Sequence, residues 1–320
     1  MNKLLITGGA GFIGSHLCTS ILQDKNVETL VVVDNYILGT PKNVAHIAGD
    51  NRFTLIKHEI NDTDFLNSLF LKYQFDTVFH LAANSDISIS HTSPSVDYLN
   101  TFNTTWCVLE SIRINGCKNF VFASTSAIYG DSLDEIDENY GPLHPISHYG
   151  AGKLASEAFI SSFSYNYNIN TWIFRFPNVV GGRSTHGIIY DFLRKLKNDA
   201  KKLVVLGNGT QEKSYLHVSD LVNAILFCKQ KFNEQRYNTF NVGGIDSINV
   251  KRIAEIVLEE TQAPQQIHFT GGDRGWIGDV PKVRYNNNKV LSSGFMPKLN
   301  SEMAIRTTVR ELIKEEQNDN

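Results

Sequence analysis

The stretch Thr7-Gly8-Gly9-Ala10-Gly11-Phe12-Ile13-Gly14 decides the fold. It follows an apolar run at 4–7 and opens an amphipathic stretch at 12–23, so it reads as strand, glycine loop and helix. Gly8, Gly11 and Gly14 stand in GxxGxxG spacing. Gly8 permits the tight turn, Gly11 lets the backbone approach a pyrophosphate, and Gly14 lets the helix pack on the strand. The helix N-terminus then faces the anion. Asp34 ends the next apolar run, 20 residues beyond Gly14, where a carboxylate meets an adenosine ribose. Its charge repels a 2′-phosphate, and Asn35-Tyr36-Ile37 supplies no Arg or Lys to receive one. NAD is therefore expected over NADP. A glycine turn without a ligand is the alternative, and strand, loop, helix, strand and acid in this order argue against it.

Outward from that stretch, short apolar runs at 29–34, 53–57, 77–80, 120–124 and 171–175 alternate with helix-like segments at 62–71, 95–114 and 148–167. Near-continuous Val/Ile/Leu/Phe suits strands buried on both faces, and the βαβα rhythm predicts a doubly wound parallel sheet of the Rossmann kind. After Arg175 the rhythm breaks into a loop, an amphipathic segment at 187–198, an apolar run at 203–206 and a Gly-Asn-Gly turn at 207–209. The expected division is an NAD-binding domain over 1–176, with 215–238 returning to it, and a smaller α/β substrate lobe from 177–214 and 239–320.

The chain has 320 residues, 42% of them apolar, so a sizeable core can form. Its 30 Lys+Arg against 33 Asp+Glu leave a net charge of −3, without the basic excess that nucleic-acid backbones require. The four cysteines form no CxxC pair and read as buried small hydrophobes. The ten histidines show no ligand spacing, and no metal is expected. No apolar run approaches the ~18 residues of a membrane span. The opening residues turn at once into the glycine run, without a signal-like apolar region, so a cytoplasmic protein is expected.

Tyr149 and Lys153 are placed at i and i+4, on one face of a helix. An ammonium beside a phenol favours phenolate, and with a nicotinamide cation it is expected to bring Tyr149 down from ~10 toward a usable general base. Tyr285…Lys289 repeats the spacing in polar text, where only surface is expected. Small residues at Gly150, Ala151, Gly152, Ala155 and Ser156 leave room around Tyr149. Thr125 offers a hydroxyl at a strand's C-terminal end, where open α/β sheets place ligands; its structural alternative is to cap its own turn.

Together these residues resemble the extended short-chain dehydrogenase/reductase superfamily, in its branch of NAD-dependent nucleotide-sugar epimerases and dehydratases. The resemblance runs through Thr7–Gly14, Asp34, His80-Leu81-Ala82-Ala83, Asn100, Ser124–Gly130, Tyr149…Lys153, Asn178 and Tyr215-Leu216-His217-Val218-Ser219-Asp220. It implies a Rossmann sheet with a C-terminal substrate lobe, and a homodimer packed through helices like 95–114 and 148–167. It implies that Thr125 and Tyr149 meet the sugar C4 hydroxyl while Lys153 holds the cofactor ribose. Phe12, Ile13, Asn35, Leu81, Ala82, Ala83 and Asn100 would complete the cofactor site. Glu59-Ile60 stands where relatives carry Asp-Ile against adenine. Toward the nucleotide sugar it places Ser85, Asp86, Ser126, Asn178, His186, Lys213 and Arg274. Asp86 alternatively bonds its own loop, and Ser184 or Thr185 alternatively caps a helix.

Within that branch, 4,6-dehydratases place Asp-Glu directly after the threonine, whereas this chain has Ser126-Ala127. Neither side chain is an acid, and decarboxylases usually keep Glu where Ala127 stands. The remaining chemistry is epimerisation, first at C4 of a UDP-hexose, through a 4-keto intermediate. The alternatives are oxidoreduction or inversion at C2, C3 or C5, and, outside enzymes, a dinucleotide-sensing scaffold. Polysaccharide biosynthesis is the pathway class that the resemblance implies.

Overall fold

The computed structural model describes every residue except 1, 86, 132–134, 200, 273–283 and 320, and the side chains of 87, 88, 91, 284 and 319. The chain divides into two compact units, 1–130 with 143–175 and 225–240, and 131–142 with 176–224 and 241–320.

The first unit is built on a seven-stranded sheet. Its strands are β1 (Lys3–Thr7), β2 (Thr29–Asp34), β3 (Phe53–Lys57), β4 (Thr77–His80), β5 (Asn119–Ala123), β6 (Asn170–Arg175) and β7 (Tyr237–Asn241). They lie in the order β3-β2-β1-β4-β5-β6-β7. Every pair from β3 across to β6 is parallel, with Thr7 level with Val33 on one side and His80 on the other. The helices are α1 (Phe12–Ile21), α2 (Thr63–Tyr73), α3 (Thr104–Asn115) and α4 (His148–Tyr167). This is the doubly wound α/β architecture expected, and β4 is buried throughout. One core joins Leu5, Val31 and Val78 of the sheet to Leu66 and Phe70 of α2, Val108 and Ile112 of α3, and Ile160 and Phe163 of α4.

The predicted helix over 95–114 is interrupted. A turn at Ser95–Asp97 passes through a π-helical stretch, Tyr98–Asn103, before α3 begins. The wider turn sets the phase of α3 one residue off from a continuous helix.

In the second unit, α5 (Ile188–Asn198), α7 (Val250–Thr261) and α8 (Ser301–Asp319) enclose a core with Leu203 and Val205. Helix α6 (Val218–Lys231) runs from this unit into the first. The observed return is 225–240 rather than 215–238. The reason is pairing: Tyr215–His217 adds in parallel to Asn178–Val180, holding 215–217 in the second unit. Residues 131–142 also fall there, since Glu135–Ile136 pairs with Arg284–Tyr285. Tyr285 lies on that strand and Lys289 on a separate helix, so their spacing is not one helical face. Tyr285 is half-buried and donates to Asn241 Oδ1 at 3.1 Å rather than lying on open surface. All four cysteines are buried, and none is in a disulfide. No helix among the described residues is long and apolar enough to cross a membrane.

Candidate functional site

The glycine loop has the backbone that its residues require. Gly8 sits at φ +70°, and a Cβ there would stand 2.7 Å from Ala82 N. A Cβ on Gly14 would run into the Gly8 carbonyl oxygen, so α1 can approach the loop only with glycine at this position. At Gly11 only the Gly8 oxygen, at 3.2 Å, lies near the Cβ direction. Gly11 is also the N-cap of α1 and offers no capping side chain, which leaves the first N–H groups of the helix for an anion.

Asp34 closes the other side of the loop. Its Oδ2 accepts from Ala10 N and its Oδ1 from Tyr36 N, both at 2.9 Å. Each oxygen keeps a lone pair for a ribose hydroxyl. A Cβ on Gly39 would crowd both oxygens, at 2.8 and 2.9 Å. Burial pushes the Asp34 carboxyl up, and the N–H groups of Tyr36, Ala10 and Gly11 oppose the shift. At the ends of β2 and β3, Asn35 Nδ2 donates to Glu59 Oε2 at 3.0 Å, beside buried Ile60. The cradle at Gly11 and the two-sided carboxylate fit a dinucleotide: the loop would hold its pyrophosphate and Asp34 its ribose.

His80 at the end of β4 ties this loop to the rest of the unit. Thr105 Oγ1 donates to Thr101 O at 2.8 Å, so it accepts from His80 Nε2 at 3.1 Å. His80 Nδ1 therefore accepts the Thr7 hydroxyl at 2.6 Å. Burial, then Lys153, holds the imidazole down at about 3, so it is neutral. Leu81, Ala82 and Ala83 follow it, half-buried, with Leu81 N bonded to Thr7 O at 3.0 Å.

Thr125 begins the turn Ser126–Tyr129, and its Oγ1 accepts from Ala127 N at 3.1 Å. It also hydrogen-bonds Tyr149, so capping its own turn does not take it away from the tyrosine. Tyr149 stands in the first turn of α4, which Ser147 caps by accepting from Gly150 N at 3.1 Å. Lys153, one turn on, is 2% exposed. Its Nζ donates to Ala123 O at 2.6 Å and lies 4.6 Å from the centre of the Phe122 ring. Here one expectation is corrected. The protein's own groups do not lower Tyr149: burial pushes it up to about 12, the Thr125 hydrogen bond opposes and Asp97 reinforces. Lys153 is pushed down to about 7 by burial, against Glu157 and Asp97. Desolvation outweighs the neighbouring carboxylates at Lys153, and at Tyr149 it outweighs the Thr125 hydrogen bond.

Behind the pair lies a network that the sequence reading missed. Arg175 Nη2 meets Glu157 Oε2 at 2.6 Å, and Ser124 Oγ donates to Glu157 Oε1 at 2.5 Å. Arg175 Nη1 donates to Tyr129 OH at 2.8 Å. The available signal was an acid four residues after Lys153 on the same helix. Asp97, 1% exposed, accepts from Asn84 Nδ2 at 3.0 Å, and no periodicity marks it.

The remaining expected residues are placed as follows. Ser85 is exposed; Phe12, Ile13, Asn100 and Ser126 are half-buried. In the second unit, Asn178 Nδ2 donates to Ser214 O at 3.3 Å, and Lys213 lies on a short strand paired with Ile248–Asn249. His186 is exposed, with Nδ1 3.2 Å from Thr185 Oγ1. Gly187 is the N-cap of α5, so neither Ser184 nor Thr185 caps it. Asp86 and Arg274 lie outside the described residues. Among the described residues, no group of three or more His, Cys, Asp or Glu could hold a metal ion. The arrangement combines a dinucleotide cradle, a hydroxyl pair and a buried amine, the elements of alcohol–ketone interconversion.

Residues 4–243 match the model of the NAD dependent epimerase/dehydratase family. An uncharacterized UDP-glucose epimerase of Bacillus subtilis is 31% identical over 84% of this chain and 85% of its own. The dTDP-D-glucose 4,6-dehydratase of Mus musculus is 27% identical over 96% and 87%. A crystal structure of a UDP-galactose 4-epimerase superposes with a TM-score of 0.85 at 34% identity, covering 98% of this chain and 99% of that one. With the glycine cradle, Asp34 and the Thr125–Tyr149–Lys153 constellation in place, the chain belongs to the NAD dependent epimerase/dehydratase family of nucleotide-sugar enzymes.

Proposed function

We propose that the enzyme epimerises a UDP-hexose at C4, with Tyr149 as general base. The observation that carries this reading is the turn after β5. Thr125 holds Tyr149 by a hydrogen bond, while the next two side chains, Ser126 and Ala127, carry no carboxyl group. Elimination of water across C5–C6 needs an acid and a base there, and neither is supplied. The likeness to proteins named UDP-glucose epimerase and UDP-galactose 4-epimerase supports the same choice of substrate.

NAD, when bound, accepts the C4 hydride and gives it back. Tyr149 takes the C4 hydroxyl proton and later returns it, and Thr125 orients that hydroxyl. The transient 4-keto sugar turns over before reduction on its other face. Lys153 as ammonium offsets the burial that holds Tyr149 high. Net oxidation is the main alternative, and inversion at C2, C3 or C5 is the other. In this reading Ser85 and Ser126 are sugar contacts, His186 is a contact to the sugar or the base, and Asn178, Lys213 and Arg274 are the candidates for the substrate's phosphates. The enzyme works as a cytoplasmic homodimer, through the face of α3 and α4.

The test is incubation with UDP-glucose and UDP-galactose plus NAD, with products resolved by chromatography and NADH followed by absorbance. The expected result is interconversion of the two sugars without NADH build-up. Steady NADH accumulation would replace epimerisation by oxidation, and a 4-keto-6-deoxy sugar would overturn the argument from Ser126 and Ala127. Tyr149→Phe should bind NAD normally and lose ~10²–10⁴-fold in turnover.

A further inference from the structure

Six Asp, Glu, Lys or Arg side chains among the described residues of the first unit are buried: Asp34, Asp97, Lys153, Glu157, Arg175 and Lys229. A buried charge without a counter-charge is strongly unfavourable, so each needs an answer. Backbone N–H groups answer Asp34, and Glu157 and Arg175 neutralise each other. Lys229 Nζ lies 5.0 Å from the centre of the Trp172 ring and is influenced by Asp76 and Cys117. Asp97 and Lys153 are left over.

Their surroundings are complementary. Asp97 Oδ1 has the Asn84 amide, and Asp97 Oδ2 is buried with no hydrogen-bond partner among the described residues. Lys153 has a carbonyl oxygen and an aromatic face, both weak partners for a full positive charge. The backbone at Asp97 packs directly on α4: a Cβ at Gly152 would stand 3.4 Å from the Asp97 carbonyl oxygen. Among the described residues neither group makes a contact ion pair, so the interaction acts across the packed helices.

We propose that Asp97 is the counter-charge of Lys153, a positioning residue that holds the ammonium in place beside Tyr149. Asp97 influences both Lys153 and Tyr149, raising each. The other groups facing them are Glu157 of α4, which pairs with Arg175 and also raises Lys153, more than Asp97 does, neutral His80 of β4, and the Thr125 hydroxyl. Replacing Asp97 by a neutral group of the same shape therefore lowers both titrations. Tyr149 loses its proton at lower pH, and Lys153 loses its proton at lower pH as well. The activity profile moves toward acid on both limbs, which a purely structural defect would not produce. The activity arm rests on Tyr149 being the base; the titration and stability arms do not.

The test compares wild type with Asp97→Asn, whose amide oxygen still accepts from Asn84. In the NAD-loaded protein, the ultraviolet phenolate titration of Tyr149 is obtained by difference against Tyr149→Phe in each background. Its midpoint should fall by roughly one pH unit in Asp97→Asn, and both limbs of the kcat profile should move with it. A second arm measures melting temperatures of Asp97→Asn, Lys153→Met and the double variant. The double variant should be more stable than Lys153→Met alone, because no unmatched carboxylate remains. Coincident Tyr149 midpoints, or a double variant no more stable than Lys153→Met, would overturn the pairing. If Asp97→Asn does not fold alone, recovery of folding in the double variant supports the pairing and failure to recover refutes it. A shifted midpoint in a protein inactive on UDP-hexoses would keep the pairing and discard the substrate.

Discussion

At Gly8 and Asp34 single atoms decide what the loop can hold. Gly8→Ala would put a Cβ against the backbone of Ala82 at positive φ. The left-handed conformation alone costs ~1–2 kcal/mol. The expected outcome is a melting temperature lower than wild type and at least about tenfold weaker NAD binding by calorimetry. With Asp34 as the proposed ribose acceptor, Asp34→Arg would exchange it for a phosphate partner, so the ratio of NADP to NAD affinity should rise. An unchanged ratio would move the adenosine ribose away from Asp34. These positions were legible in the sequence because their chemistry is bound to spacing: three glycines, then an acid at the end of the next strand. The placement of Tyr149 and Lys153 one turn apart on a helix, and of Thr125 just after a strand, was legible too. Asp97 was not, because Ser-Val-Asp-Tyr-Leu-Asn reads as polar helix surface. Tertiary packing buries it: the turn lies against α4, and Asn84 reaches the carboxylate from the loop after β4. The direction of the Tyr149 shift was misread for a related reason: a neighbouring charge can be counted from spacing, whereas desolvation depends on the whole surrounding fold.

Elements carry the network behind the site. Glu157 links α4 to Ser124 at the end of β5 and to Arg175 at the end of β6. Glu157→Ala leaves the Arg175 guanidinium buried without its partner. Breaking such a pair costs ~3–5 kcal/mol, to be read as a lower midpoint in urea unfolding. Strands β1 to β6 were readable to within about a residue, since strands buried on both faces are unbroken apolar runs bounded by polar turns. The edge strand β7 was not, because Tyr-Asn-Thr-Phe-Asn alternates and gains its place only beside β6, a strand far back in the sequence. The π-helical stretch at Tyr98–Asn103 has no breaker residue to announce it.

For the whole molecule, the proposed dimer has a specific surface. Tyr98, Leu99, Trp106 and Phe159 are exposed on α3, the turn before it and α4. Trp106 and Phe159 meet edge-on at 5.2 Å, and Phe102 and Phe159 at 5.3 Å. Such an aromatic cluster is costly to leave in water and suits a second copy of the same face. Phe159→Glu should give a monomer by light scattering after size exclusion, with the circular dichroism spectrum unchanged. A wild-type monomer would remove the proposal.

The Thr7–His80–Thr105 chain has a consequence for acid tolerance. The native imidazole takes a proton only near 3, against 6.5 for the free side chain, so unfolded chains bind that proton first. The stabilisation is complete above about pH 6.5 and drains away as the medium is acidified toward 3. Acidification should therefore loosen the nucleotide cradle from within, by charging the one ring that fastens β1 to α3. His80→Gln should blunt that part of the acid transition.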